Sequence, residues 1–310
     1  MGFFKKIRYR NYLSNCLKAH RKRGEKRFLI LWNRGMGDVP LGVYGLIRKI
    51  LHFIPTAHIR VMTRSDLKPV FELLENIEVI ECPSWKRGTK IDPILAMQEH
   101  GFCSADFDGI FDNPDLTIWL QKDNGKYTPH LRWEEQLDAL ADRFPIDPSK
   151  KIIAVHVQTE THYNYEKNWP AVKFRELFEI LYNRGDFQII LFGFEKDDEY
   201  KMPGILDLRG ETSLYEMLAI IKNKTDYLLA PDSGVLCLAY YLNIPFALRI
   251  ASLWADPRQG ILRLGVPSPN PELETFYLIG KQKDPSRIPV NAVMDALLLS
   301  KEKVPCTQRF

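Results

Sequence analysis

The hydrophobic positions along the chain change their period repeatedly, and each change marks an element. Phe28 to Trp32 is an unbroken apolar run, the mark of a buried strand, and "DVPLGVYGLIRKILHF" after it spaces its apolar residues as a helix does. "AHIRVMTRSD" predicts a second strand, "LKPVFELLEN" a helix and "IEVIEC" a third strand. Alternation at this spacing predicts a parallel, doubly wound sheet. From Pro83 to Pro129 the pattern loosens, with "FDGIFDNPDL" reading as a strand and loop. "RWEEQLDALADRF" predicts a helix, and the prolines and polar residues of "PIDPSKK" predict a linker with a domain boundary near Pro148.

Beyond the linker the rhythm restarts. "KIIAVHVQT", "FQIILFGF", "DYLLAPDSG" and "IPFALRI" predict strands, and "AVKFRELFEILYNRG", "LYEMLAIIKNK" and "VLCLAYYLN" predict the helices between them. The chain therefore divides into a basic extension over 1–27, one α/β half over 28–147, a second over 148–285, and a C-terminal helix and tail over 286–310. The helical segment "PVNAVMDALLLSKEK" is a candidate to cross back onto the first half.

Composition narrows the class. With 310 residues and 45% hydrophobic content the chain has room for two domains of roughly 100 to 200 residues, and no run approaches the ~18 apolar residues of a membrane span. Charges interrupt the opening "MGFFKKIRYR", which predicts no secretory signal and a cytoplasmic location. Cys16, Cys82, Cys103, Cys237 and Cys306 are odd in number, scattered and without a C-x-x-C pair, so reduced thiols are expected and a metal site is not. The net charge of +4 hides an asymmetry: Met1 to Arg27 carries ten Lys or Arg and one acid, Glu25, leaving the rest of the chain acidic. An anionic membrane surface is the partner this suggests, with Phe3, Phe4, Ile7, Leu13 and Leu17 as the apolar side of an interfacial helix; a solvated basic helix is the alternative. No nucleic-acid motif accompanies the charge, so no nucleic acid is expected.

The candidate chemistry lies where strands give way to helices, because ligands of open α/β sheets bind beyond the carboxyl ends of the strands. In "RGMGDVPLG", Gly35 and Gly37 would let the chain turn steeply, and Asp38 either caps the following helix or faces a ligand. In "LLAPDSGVLCLAYYLNIP", Asp232-Ser233-Gly234 opens a helix at Val235; its unpaired amides suit a phosphate, and Asp232 suits sugar hydroxyls, unless it or Ser233 only caps the helix. "VHVQTETHYNYEKNWP" brings Lys167 to a loop just before a helix opened by Pro170; a lysine there can neutralise a diphosphate, or simply lie on the surface. His156 alternates with Ile and Val as a core histidine would, and His162 lies in a polar loop. G-x-S-x-G, H-E-x-x-H and G-x-x-x-x-G-K-[ST] are all absent, and Pro40 breaks the G-x-G-x-x-G pattern.

Taken in order, the "MGD" after the first strand, "KNWP-x-x-x-F-x-E-L", and "L-x-G-x-T-S-L-x-E" running on to "DSG-x-x-x-L-A-x-x-L-x-x-P" resemble the ADP-heptose:lipopolysaccharide heptosyltransferases, glycosyltransferase family nine, over nearly all of residues 28 to 250. The resemblance implies a GT-B fold, two Rossmann-like doubly wound domains facing across a cleft, with the donor on the C-terminal one and the acceptor on the N-terminal one. It implies inverting, metal-independent transfer of a sugar, heptose from ADP-heptose in the first instance, to a lipopolysaccharide-core or other cell-surface saccharide, with no cofactor beyond the nucleotide-sugar donor. By position Asp38 would be the general base beside the acceptor-side loop Gly35-Met36-Gly37. Lys167 would hold the diphosphate, Asp232, Ser233, Gly234 and Val235 the donor, and Glu195 or Asp197 the ribose, with Thr159 also at the donor site. The enzyme would work in the cytoplasm or as a peripheral protein on the inner face of the membrane.

Three departures from the family pattern fall at the donor side. Cys237 replaces a usual histidine, Val157-Gln158-Thr159 a usual Gly-Ala, and Arg249-Ile250-Ala251 stands where a glycine follows the strand. They leave room for a different donor sugar. The alternatives to transfer are a nucleotide-sugar epimerase or hydrolase of the same fold and a non-catalytic saccharide- or nucleotide-binding relative.

Overall fold

In the computed structural model, which describes residues 11–161 and 166–298, the apolar runs become parallel strands of two separate sheets. The chain falls into two units, Met1–Arg132 with Leu264–Pro267, and Trp133–Arg263 with Ser268–Phe310. The first unit runs α1 (Tyr12–Arg23), β1 (Arg27–Trp32), a π-helical turn (Val39–Val43) continuing into α2 (Tyr44–Phe53), β2 (His58–Thr63), α3 (Lys68–Glu72), β3 (Glu78–Glu81), α4 (Pro93–Glu99), β4 (Gly109–Asp112) and α5 (Leu116–Trp119). Its strand order is β3-β2-β1-β4. β1 is central, paired from Arg27 with His58 to Trp32 with Thr63 on one side and from Phe28 with Gly109 on the other, which explains its uninterrupted apolar run. Because β2 and β3 lie to one side of β1 and β4 to the other, the order reverses beside β1, and the segment carrying Asp38 leaves the sheet at that reversal.

α1 forms from the basic extension, but its apolar residues are spent internally. Leu13, Leu17 and His20 are buried, while Lys18, Arg21, Lys22 and Arg23 are exposed. Leu13 and Leu17 are therefore not the inserting side of an interfacial helix, and Phe3, Phe4 and Ile7 lie outside the described residues. No helix among the described residues is long and apolar enough to cross a membrane.

The second unit runs a 3₁₀ segment (Glu135–Arg143), β5 (Lys151–His156), α6 (Ala171–Arg184), β6 (Phe187–Phe192), β7 (Ile205–Asp207), α7 (Leu214–Lys224), β8 (Tyr227–Pro231), α8 (Gly234–Tyr241), β9 (Leu248–Trp254), α9 (Gly260–Leu264), β10 (Leu273–Ile279) and α10 (Val290–Leu298). Its strand order is β10-β9-β8-β5-β6-β7, parallel throughout, so the order reverses between β5 and β8. Ile153 and Val155 of β5, Phe174 and Phe178 of α6, and Val293 and Leu297 of α10 share one buried cluster. The C-terminal helix, expected to cross back onto the first half, thus spends its apolar face in the second unit; residues 299–310 lie outside the description.

Three elements differ from the sequence expectation. "RWEEQLDALADRF" forms 3₁₀ turns rather than an α-helix, with no side-chain cap at Glu134, and belongs to the second unit. Its polar residues are held by α7, where Asp138 accepts from Lys222 Nζ at 2.9 Å and Arg143 pairs with Glu216. The predicted linker near Pro148 consequently lies inside that unit, and the division falls at Arg132 and Trp133. β9 continues to Trp254, so Arg249-Ile250-Ala251 is the middle of a strand and not the turn after it. No disulfide joins Cys16, Cys82, Cys103 or Cys237.

Two buried polar groups make the fold testable. Lys49 of α2 and Asp123 form an ion pair with side chains only 6% and 8% exposed, tying the segment after α5 to the helix that follows Asp38. Removing one partner leaves a buried charge uncompensated. Asp123→Ala is expected to lower the unfolding free energy by about 3–5 kcal/mol in urea titrations, and the double replacement Lys49→Met, Asp123→Leu to lose much less. His156 ends β5 with its ring buried and no hydrogen-bond partner at Nδ1, and burial pushes its pKa down from 6.5 to about 4. The native state holds it neutral while the unfolded chain takes up the proton, so its contribution is intact above pH ~6.5 and lost as the pH falls toward 4. Between pH 7 and 4 the wild type is expected to lose up to about 3 kcal/mol more stability than His156→Leu, measured in the same titrations.

Candidate functional site

The order reversal of the second sheet places the segments after β5 and β8 side by side. The segment after β5 is closed by an amide clamp: Asn168 Oδ1 accepts the Thr159 N–H at 2.7 Å and Asn168 Nδ2 donates to the Thr159 carbonyl at 3.0 Å. The Glu166 carboxylate accepts the N–H groups of Lys167 and Asn168 at 2.8 and 2.7 Å. Trp169 is buried edge-on against Phe174, and its indole N–H donates to the Ile288 carbonyl at 3.0 Å. With its neighbours anchored on both sides, Lys167 has its ammonium held at one place. Nζ donates to Asp232 Oδ2 at 2.7 Å, with both side chains about nine-tenths buried.

Asp232 follows β8 directly. The two readings of this turn separate: Ser233 caps α8, its Oγ accepting the Leu236 N–H at 3.2 Å, while the Asp232 carboxylate holds Lys167. Gly260, at φ +49°, makes room for the other carboxylate oxygen, since a Cβ there would stand 2.4 Å from Asp232 Oδ1. Gly234 and Val235 open the helix behind the cap, where backbone amides have no intrahelical acceptor. Lysine ammonium, helix amino end and a fixed carboxylate thus converge. The set favours a bound anion that also offers a hydroxyl to the carboxylate.

Around this centre the other expected residues scatter in role. Asp197 follows β6 and is held well below the usual carboxylate range by Arg209, whose Nη1 donates to Asp197 Oδ1 at 3.0 Å. Arg209 is almost wholly buried and also pairs with Asp207 at 2.8 Å, so Asp197 is committed to the protein and Glu195, exposed beside it, is the more available acid. Asp197 also borders a cavity of ≈ 470 Å³ with Lys196, Tyr200 and Asp207. Thr159 meets Asn168 through its backbone, as above. Cys237 is buried inside α8 and presents no surface. His162 lies outside the described residues.

In the first unit Asp38 occupies the N-cap position of the π-helical turn, yet its side chain makes no capping hydrogen bond. It folds back over Gly35, where a Cβ would stand 2.8 Å from Asp38 Oδ2. Gly35 is needed for that close approach, and neither it nor Gly37 takes a positive φ. Met36 and Gly37 are half-buried beside it. A π-turn at this point, with Pro40 inside it, re-aims the chain just after the carboxylate. Asn168, Gly260 and Arg209 were not singled out by the sequence. Asn168 alone had a visible signal, its place inside "KNWP". Among the described residues no three His, Cys, Asp or Glu side chains gather where they would hold a metal ion.

The chain has counterparts among known proteins. A family model, glycosyltransferase family 9 (heptosyltransferase), matches residues 119–247, a span that contains Lys167 and Asp232 but not Asp38. No curated protein matches. Among solved structures, E. coli ADP-heptose LPS heptosyltransferase II superposes with a TM-score of 0.58 at 15% identity, covering 89% of this chain and 99% of its own. A glycosyl transferase family 9 protein from Veillonella parvula gives 0.57 at 15% identity over 87% and 95%, and E. coli heptosyltransferase WaaC with ADP gives 0.51 at 14% over 87% and 98%. At such identities the likeness establishes a shared fold. Residues 119–247 thus match the family 9 glycosyltransferase model, and the chain shares its α/β fold with solved heptosyltransferases.

Proposed function

We propose that the protein is an inverting glycosyltransferase that moves a sugar from a nucleotide diphosphate donor to a saccharide acceptor. The observation that carries this reading is the Lys167–Asp232 pair at the order reversal of the second sheet, beside the amino end of α8. When the acceptor oxygen attacks the anomeric carbon, its proton passes to Asp38 as the new C–O bond forms. The bond from the anomeric carbon to the diphosphate breaks, and its electron pair leaves with the phosphate. Charge develops on that oxygen, where a fixed ammonium and helix amides stabilise it most. In this reading Lys167 and the amides of Gly234 and Val235 supply the positive charge without a metal, and Asp232 aims Lys167 while offering its other oxygen to the sugar. Ser233 shapes the turn, Glu195 takes the ribose, and Asp197 stiffens the adjoining loop through Arg209.

ADP-heptose as donor and lipopolysaccharide core as acceptor class are supported by the heptosyltransferase family match and by the likeness to an ADP-heptose LPS heptosyltransferase. The exposed Lys18, Arg21 and Lys22 of α1 support a peripheral, electrostatic meeting with an anionic membrane rather than insertion.

The test is a donor panel of ADP-, UDP-, GDP- and dTDP-sugars with and without core saccharides, followed by nucleoside diphosphate release. Acceptor-dependent release from ADP-heptose that withstands EDTA is the expected result. Asp38→Asn is expected to lower kcat roughly 10²- to 10⁴-fold with donor KM little changed. Lys167→Ala is expected to raise donor KM as well as lower kcat, because its charge binds the diphosphate before and during the reaction. Sugar release or isomerisation that needs no acceptor would replace this reading with hydrolysis or epimerisation.

A further inference from the structure

A second anchored turn in the first unit meets the Asp38 segment. Asn33, the first residue after β1, is 2% exposed, and its side-chain amide donates to the carbonyls of Lys86 and Thr89 at 3.2 and 2.7 Å. Its own carbonyl accepts the Gly88 N–H at 3.2 Å, and the Thr89 hydroxyl closes the turn on the Lys86 carbonyl at 2.8 Å. Gly88 adopts φ +72°, which only a glycine takes without strain. Three points of attachment thus fix a four-residue turn, from which the Arg87 side chain reaches back toward the loop that Asn33 begins. The Cβ position of Gly35 that lies 2.8 Å from Asp38 Oδ2 lies 3.7 Å from Arg87 Nη2. Carboxylate and guanidinium therefore crowd the same point.

We propose that Arg87 is the positioning residue of Asp38, its guanidinium delivered by the Asn33-pinned turn to hold the carboxylate ionised and oriented for proton removal. The inference rests on the reading of Asp38 as the base. A planar guanidinium suits this work, since it can engage one carboxylate oxygen and leave the other to take the proton. The other charges on the elements around Asp38 do not substitute for it. Arg34, in the same loop, lies over the Trp32 ring at 5.8 Å; Lys86, exposed on the turn as Arg87 is, has no atom among the three nearest the Gly35 Cβ position; Arg64, just after β2, is buried and paired with Asp66 at 2.9 Å. Arg64 is lowered chiefly by burial and also by the Arg87 charge, so the two guanidinium groups repel, which favours Arg87 turning to a carboxylate.

The full chain labelled with ¹³C at aspartate side-chain carboxyls tests the pairing without any substrate, the Asp38 signal being the one lost in Asp38→Asn. Removing a nearby positive charge raises a carboxyl pKa. Arg87→Ala is expected to move the Asp38 titration midpoint up by about half to one pH unit, with Arg87→Lys between it and the wild type. An unmoved midpoint overturns the proposal. In turnover, Arg87→Ala is expected to lower kcat about tenfold at neutral pH, to move the acid limb of the kcat profile up by the same interval, and to leave donor KM unchanged, with Arg87→Lys recovering most of the loss. A rise in acceptor KM alone, with kcat and its acid limb unchanged, overturns it in favour of an acceptor contact. If the midpoint moves yet Asp38→Asn still transfers sugar, the base reading fails while the pairing stands.

Discussion

The candidate site depends on one buried ion pair, Lys167 with Asp232. Burying two charges costs several kcal/mol per ion, and the cost is offset only where geometry and further hydrogen bonds fix both partners. Here that fixing is visible on each side: the Thr159–Asn168 clamp and buried Trp169 set the lysine, and the end of β8, the Ser233 cap and the space left by Gly260 set the aspartate. A pair built only for stability would gain as much from apolar residues of similar volume. Placing it at an order reversal beside a helix amino end makes sense if an anion is to be met there, since the lysine is then charged, aimed and desolvated before the anion arrives.

The same topological rule operates in both units and delivers opposite charges. In the first, the reversal beside β1 presents the carboxylate of Asp38; in the second, the reversal between β5 and β8 presents the ammonium of Lys167. A transfer reaction needs these two things separately, a base to take a proton and a cation to receive a leaving group. On the proposed transfer reading, each unit supplies one of them.

Much of this was legible in the sequence, and the failures have physical causes. Strands buried on both faces announce themselves as apolar runs, and β1, β2, β5, β6 and β8 were all found so. β7, three residues long at a sheet edge, and β10, whose burial alternates, lack that run and were missed. The 3₁₀ segment Glu135–Arg143 carries a helical spacing, but tertiary pairing of Asp138 and Arg143 with α7 decided its geometry and its unit. Interfacial behaviour was read into Leu13 and Leu17 because amphipathicity does not say whether the apolar side meets lipid or protein. Asp38 and Asp232 could be placed after β1 and β8 because those strand-to-helix junctions are short and local, and Lys167 by its place just before Pro170. That Lys167 and Asp232 touch is a relation across 65 residues, which no local pattern contains.

Asparagine at the two anchored turns is a choice the chemistry explains. Asn33 and Asn168 each stand near a charged side chain, and each uses its amide to hold main-chain groups of a loop. An amide both donates and accepts, so one side chain can satisfy a carbonyl and an N–H of the same residue, as Asn168 does with Thr159. An aspartate would lose the donor and bring a negative charge to compete for Lys167 or Arg87; a leucine of similar volume would leave buried backbone groups unsatisfied. Neutral amides, Asn168 donating and accepting and Asn33 donating, hold the main chain of these loops without adding charge, and the ammonium of Lys167 is left to Asp232.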